Sequence, residues 1–371
     1  MKYLVRLQPI GPFFFGGNRT FSFRGNLTLN DSYIIESTRL PQQTHLLGMI
    51  RRVMLEKESI LCLGKSGWGI NKDDENNAVK LVGVNNSSSS AKLGKIKSLS
   101  CVFLMTLQND QPVDFHFVIP KDTGIKLDFD KYKNSKVCIG GIKNSASVFF
   151  EHYKAKDGVK QGFSTRSFWS KYCRQEHLIA EEDILSDDRI YKQVWQIGIK
   201  RKDRTVVEDE DGSLYKQCSY LLKRENNENF QFGFVLELTE DLFGAKFERQ
   251  VYLGAQRSLF QMVIEPFKDE FNEFMPPSQK QFSKAVVIGE LFDSQYTFNS
   301  DKFILNNGCT AFSRIVPNKG SKCNDYRTTK DKQSNLLPKG TVIFFLDKTN
   351  KKLAIEDNFY TKIGYNSLIY I

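Results

Sequence analysis

The chain has 371 residues, of which 40% are hydrophobic and 26% charged, the proportions of a folded protein rather than a disordered or fibrous one. That length suits two domains, because a single hydrophobic core rarely grows much past roughly 250 residues. An excess of 53 Lys+Arg over 43 Asp+Glu gives a net charge of +10, which favours a polyanionic partner or an anionic surface.

The opening KYLVRLQPI alternates and stops at Pro9-Ile10-Gly11-Pro12, predicting a strand ended by breakers. In the following GPFFFGGNRTF, Phe13, Phe14 and Phe15 read as packing residues. Gly16 and Gly17 free the backbone to approach a phosphate, Asn18 is polar, Arg19 supplies charge, and Phe21 or Phe23 offers a stacking face. A second extended stretch is expected at 31–37.

After Pro41 the period becomes helical. Leu46, Leu47, Ile50, Val53 and Met54 share one face, with Thr44 as N-cap, while His45, Gly48 and Arg52 line the opposite face. Glycine inside a helix costs about 1 kcal/mol relative to alanine, so Gly48 implies either the close approach of another backbone or room for a ligand. Residues 59–97 are polar and low in complexity and read as an inserted loop. SLSCVFLMTLQ and PVDFHFVIP, split by Asn109-Asp110-Gln111, predict a hairpin in the sheet of the first domain. The stretch QGFSTRSFWSKYC is too mixed to assign.

Residues 195–224 predict a long hairpin. Its outgoing strand carries Lys200, Arg201, Lys202 and Arg204, an acidic tip turns at Gly212, and an apolar-aromatic strand returns. It is either a projecting arm or an ordinary solvated hairpin. NFQFGFVLELT reads as a strand, 240–249 as a short helix, and SLFQMVIEP, SKAVVIGELF, GTVIFFLD and TKIGYNSLIYI as further strands, the last of them paired. The class is α+β, with helices on one face of the sheets.

Seven scattered cysteines without a CxxC give neither a zinc spacing nor a disulfide framework and suit a reducing cytosol. No stretch reads as a signal peptide or is long enough to cross a bilayer, so a cytoplasmic protein without a membrane partner is expected. His45, His116, His152 and His177 are isolated from one another, and no P-loop, dinucleotide fingerprint, HExxH or nucleophile elbow occurs. No metal and no cofactor are expected.

The order and spacing of KYLVRLQPIGPFFFGGNRTF, STRLPQQTHLLGMIRRVML, GIKRKDRTVVEDEDGSLYKQ and YLGAQRSLF resemble the RAMP-superfamily subunit that caps the guide-tag end of the type III-B CRISPR (Cmr) effector complex. The resemblance implies two ferredoxin-like (RRM-like) domains with inserted loops and a protruding β-hairpin arm. Residues 1–190 would form the first, with the insertion at 59–97, and 191–371 the second, with the arm at 197–222. It implies a non-catalytic subunit that holds the 5′ tag of CRISPR RNA and bridges the large polymerase/cyclase-type subunit to a neighbouring RAMP backbone subunit, near the tag-proximal end of the target RNA.

Carried onto this sequence, the glycine-rich turn is Gly16-Gly17 with Asn18 and Arg19. The helix opening is Pro41, Gln42, Gln43 and Thr44, followed by Gly48 and Arg51; His45 and Arg52, on the polar face of the same helix, are further candidate RNA contacts. The arm contributes Lys200, Arg201, Lys202 and Arg204 within the span Gly198-Ile199 to Gly212, Leu214 and Tyr215. The fourth motif supplies Gly254 and Arg257, but Ala255 and Gln256 stand where the family has a second glycine and an acid. The competing expectation is a metal-independent CRISPR-repeat endoribonuclease of the same superfamily, with His45 as general base.

Overall fold

In the computed structural model, β1 (Lys2–Pro9) is bracketed by two strands that lie more than 200 residues away in the chain, β8 (Glu228–Leu238) and β10 (Leu259–Pro266). Both pairings are antiparallel, with Val5 opposite Phe234 on one side and Ile264 on the other. Tyr3, Leu4, Val5 and Leu7 are all fully buried, so the strand has both edges paired and both faces dry. The one charge among them, Arg6, is compensated by Glu265 at 3.0 Å and the Asp110 carbonyl at 3.1 Å, as a buried guanidinium requires. The structure describes residues 1–17, 19–21, 33–64, 67–70, 72–83, 93–123, 127–128, 138–139, 142–143, 149–150, 162–174, 181–199, 214–225, 228–255, 258–292, 302–306, 308–312, 315–317, 328–330, 334–345, 352–355 and 357–371.

With β9 (Phe247–Tyr252), β4 (Phe103–Gln108) and β5 (Gln111–His116), the sheet runs in the order β9-β10-β1-β8-β4-β5. The turn between β4 and β5 places Asn109 and Asp110 at φ 49° and 61°, the left-handed pair that a tight two-residue hairpin needs and that Asn and Asp tolerate. A second sheet joins β2 (Arg19–Phe21) and β3 (Tyr33–Glu36) to the hairpin β6 (Tyr191–Ile199) and β7 (Leu214–Leu222), in the order β6-β7-β3-β2.

The chain divides into two compact units that interleave in sequence. Met1–Leu81, Val102–Val113 and Asp188–Phe267 form the first; Val82–Cys101, Asp114–Asp187 and Lys268–Ile371 form the second. The partners of β1 lie in 228–266, and pairing takes that stretch into the first unit. The expected loop at 59–97 instead contains the strand pair Leu61–Gly64 and Gly67–Ile70 and a helix, α2 (Glu75–Val82), which buries Ala78, Leu81 and Val82. The helix expected at 240–249 is a turn running into β9. Asp241 accepts from the Tyr3 hydroxyl and from Gly244 N–H, and Gly244 lies at φ +66°, a conformation that no helix interior adopts.

In the second unit α3 (Arg166–Cys173) starts at a Thr165 cap whose hydroxyl accepts from Phe168 N–H at 3.4 Å. The Asp122 carboxylate is held between the Tyr172 hydroxyl at 2.6 Å and Lys284 Nζ at 2.7 Å, and Lys284 also lies 3.9 Å from the centre of the Tyr172 ring. The strand β11 (Lys284–Val287) lies between β12 (Val342–Phe345) and β13 (Leu368–Tyr370), which pairs the chain's last strand as expected. The fold is mixed α/β, rich in sheet and poor in helix. Among the described residues, no helix is long and apolar enough to cross a membrane.

Candidate nucleic-acid interface

Phe13, Phe14 and Phe15 are 0%, 7% and 4% exposed, which makes them the anchor of the segment leaving β1. The Phe13 and Phe15 rings lie 4.8 Å apart and meet Phe232 and Phe260 of the central sheet at 5.3–6.1 Å. Removing one such ring costs about 3–5 kcal/mol. The backbone of the triplet is tied on three sides: Phe13 exchanges hydrogen bonds with Tyr220 of the hairpin, Phe14 N–H donates to Ser258 Oγ at 3.0 Å, and Phe15 N–H donates to Ser37 Oγ at 2.9 Å.

The two glycines that follow have different reasons. Gly16 lies at φ +83°, and among the described residues nothing stands within 4 Å of where a side chain would be. At Gly17 a Cβ would collide with the Glu36 carbonyl, so this glycine serves packing against the strand β3 rather than access. Thr38 N–H donates to the Gly16 carbonyl at 2.8 Å, fixing the turn beside the segment that leads to the first helix. Asn18 lies outside the described residues. Arg19 is in register with Ile35 at the edge of the hairpin sheet, and its side chain is not described.

The fourth motif closes the same turn. Gly254 adopts φ +84°, and a Cβ there would come within 2.6 Å of the Phe14 carbonyl. Ala255 acts through its N–H, which donates to that carbonyl at 2.8 Å, while its side chain is exposed; alanine therefore fits where the family has a second glycine. Gln256 and Arg257 lie outside the described residues.

The helix α1 (Gln43–Lys57) buries Leu46, Leu47, Ile50, Val53 and Met54, the face expected from sequence, together with Gln43, Met49 and Leu55. Its N-cap is Gln42 and not Thr44, because the extended approach ends at buried Pro41, two residues earlier than the hydroxyl pattern suggests. Gln42 makes no side-chain cap hydrogen bond, and no acid occupies the first turn, so the positive end of the helix is not neutralised by a carboxylate of its own first turn. His45, Gly48 and Arg52 are all exposed on one face, and Arg51 and Thr44 are half-buried.

Among the described residues nothing stands within 4 Å of a Cβ built on Gly48, so no described backbone accounts for that glycine. Arg52 is bound to Glu56 at 2.8 Å, and the other oxygen of Glu56 meets Arg249 of β9 at 2.7 Å. Desolvation by the protein behind it holds the exposed His45 imidazole below its ordinary pKa.

The hairpin is longer than expected, with nine residue pairs from Tyr191 opposite Leu222 to Ile199 opposite Leu214. Gly198 stands opposite Tyr215, whose ring occupies the space above the glycine, so the spacing of glycine and tyrosine in this motif is a cross-strand contact. Lys200, Arg201, Lys202 and Arg204 lie outside the described residues.

Two features were missed from sequence. Arg39 lies near enough to Tyr220 and Cys218 for its charge to lower both pKa values against the larger effect of burial. Trp195 and Ile197 are 51% and 73% exposed on β6, which the alternation in QVWQIGI could have signalled. Among the described residues, no three His, Cys, Asp or Glu side chains are grouped to hold a metal ion.

Comparison with known proteins bears on this arrangement. No curated protein matches the chain. Chains in two cryo-EM structures of the type III-B Cmr-beta complex, one bound to cognate target RNA and AMPPnP and one bound to cognate target RNA, are similar along 99% and 100% of this chain. Each match covers 96% of the other chain, at 13% and 12% identity and TM-scores of 0.48 and 0.49. A model of the CRISPR-associated protein family Cas_Cmr3 matches residues 5–292, a span that takes in the glycine turn, α1, the hairpin and the fourth motif. The chain therefore belongs to the CRISPR-associated Cas_Cmr3 family, the type III-B subunit family that its motif order resembles.

Proposed function

We propose that this chain is a non-catalytic RNA-binding subunit of a type III-B Cmr effector, built on two ferredoxin-like RAMP domains. In this reading it holds the 5′ tag of the CRISPR RNA and bridges the large polymerase/cyclase-type subunit to the neighbouring RAMP backbone subunit. The target RNA then runs past its tag-proximal side. One observation carries the reading: the residues of the family motifs converge in the first unit, where backbone hydrogen bonds tie Thr38 to Gly16 and Ala255 to Phe14, and α1 follows a few residues on.

The exposed His45–Gly48–Arg52 face and a helix start without an acid or side-chain cap suit a phosphate backbone, as does the net charge of +10. Single-stranded RNA is gripped by shape, stacking and 2′-hydroxyl contacts, which backbone-rich turns can supply. The test is to place carboxylates on the open face with Thr44→Glu and His45→Glu in the coexpressed complex. Retained guide RNA is expected to drop about tenfold or more, with steeper loss at higher salt. Unchanged retention at every salt concentration would contradict the reading.

A second reading is favoured by His45 itself. An exposed imidazole kept neutral at neutral pH is able to accept a proton, as a metal-independent endoribonuclease requires. Cleavage of repeat RNA in EDTA that disappears in His45→Ala would replace the first reading with this one.

A further inference from the structure

We propose that the outer edge of β6 is a docking site for an extended segment of a neighbouring protein subunit, which adds to the hairpin sheet as a further strand. The segment has apolar side chains at alternate positions and carboxylates beside them. This inference rests on the reading of the chain as one subunit of a larger assembly.

Among the described residues β6 is the last strand of its sheet, with β7 on one side and no strand on the other. Free edges are normally guarded by charges, proline or a bulge. The β6 sequence YKQVWQIGI has one lysine, no carboxylate and no proline. Instead it exposes Trp195 and Ile197, two residues apart and so on one face of the strand. Apolar side chains left open on an edge whose one charge is Lys192 mark a surface that is covered in the working protein.

The opposite face of the same strand has a receptor of its own. Gln196 points with Ser219 to a half-open cleft of about 340 Å³, walled by Ile10, Pro12, Phe14 and Leu259. Ile10, at the mouth, is 52% exposed. A strand added to β6 sends alternate side chains to the two faces. One set would lie along Trp195 and Ile197, and a single large apolar side chain of the other set would enter the cleft.

Charge selects the partner. Neither hairpin strand contains Asp or Glu, while Lys192 and Lys216 are exposed, so flanking carboxylates on the incoming segment are favoured. RNA fits this edge less well. Ile197, the more exposed of the two ridge residues, has no stacking face, and a phosphodiester chain has no pattern of N–H and C=O groups to match a strand.

The test uses the coexpressed complex with its guide RNA, carrying a benzophenone amino acid in place of Ile197 or, separately, of Trp195. After irradiation the expected product is a nuclease-resistant adduct with a neighbouring subunit, at a peptide of alternating apolar residues flanked by Asp or Glu. An adduct to RNA, or none at either position in complexes of normal composition, would overturn the inference.

A second measurement does not depend on the probe. Ile197→Glu is expected to lower the copurified neighbour about tenfold and Ile197→Leu to leave it unchanged, whereas equal recovery with both overturns the proposal. Guide RNA is counted in the same samples. Guide without a protein adduct sinks the edge proposal alone, and an adduct without guide sinks the RNA-binding reading alone.

Discussion

Gly17 and Gly48 carry no side chain for opposite reasons, and substitution separates them. At Gly17 the obstacle to a Cβ is the carbonyl of Glu36, a backbone atom that cannot swing aside. Gly17→Ala is therefore expected to cost about 3 kcal/mol, the upper end for overpacking, read from the urea midpoint. At Gly48 no described residue opposes a methyl group and the position lies inside a helix, so Gly48→Ala is expected to stabilise the chain by up to about 1 kcal/mol. If that face meets RNA, the same variant loses guide while gaining stability. A gain in stability with full guide retention would mean that the glycine is not there for the ligand.

Between elements, the Tyr220 hydroxyl donates to Glu36, linking the returning strand of the hairpin to β3, whose end abuts the glycine turn. Burial, and then this hydrogen bond, push the Tyr220 pKa from 10.0 up to about 12, and Tyr3 is raised to about 12 by burial and its bond to Asp241. The folded state thus keeps protons that the unfolded chain releases above about pH 10. The stability these two groups supply is complete below that pH and is lost as the pH climbs from about 10 through about 12. In Tyr220→Phe part of this slope disappears, so its stability deficit relative to the parent should shrink above about pH 10 in denaturation curves. A deficit constant across that range would show that the hydroxyl does not hold the proton.

For the molecule as a whole, elements governed by local periodicity were legible: β1, the buried face of α1, the hairpin around Asn109-Asp110 and the paired last strand all follow from alternation, helical spacing or turn residues. Pairings closed across long stretches of chain were not. β1 pairs with strands in 228–266, more than 200 residues on, and Asp241 is held in a turn by Tyr3 and Gly244 where local spacing reads as helix. At the candidate site, Gly16 and Gly254 were readable as special backbone positions, but the role of Gly17 depends on Glu36 and the openness of Gly48 on what surrounds it, neither of which a linear sequence displays. The most direct test of the account is to coexpress the chain with its neighbouring subunits and a CRISPR array, purify through a tag on this chain, and sequence the bound RNA. The account predicts guides that share one constant 5′ end and are lost steeply as salt is raised; recovery of the assembled subunits with no RNA, or with RNAs lacking a common 5′ end, would contradict it.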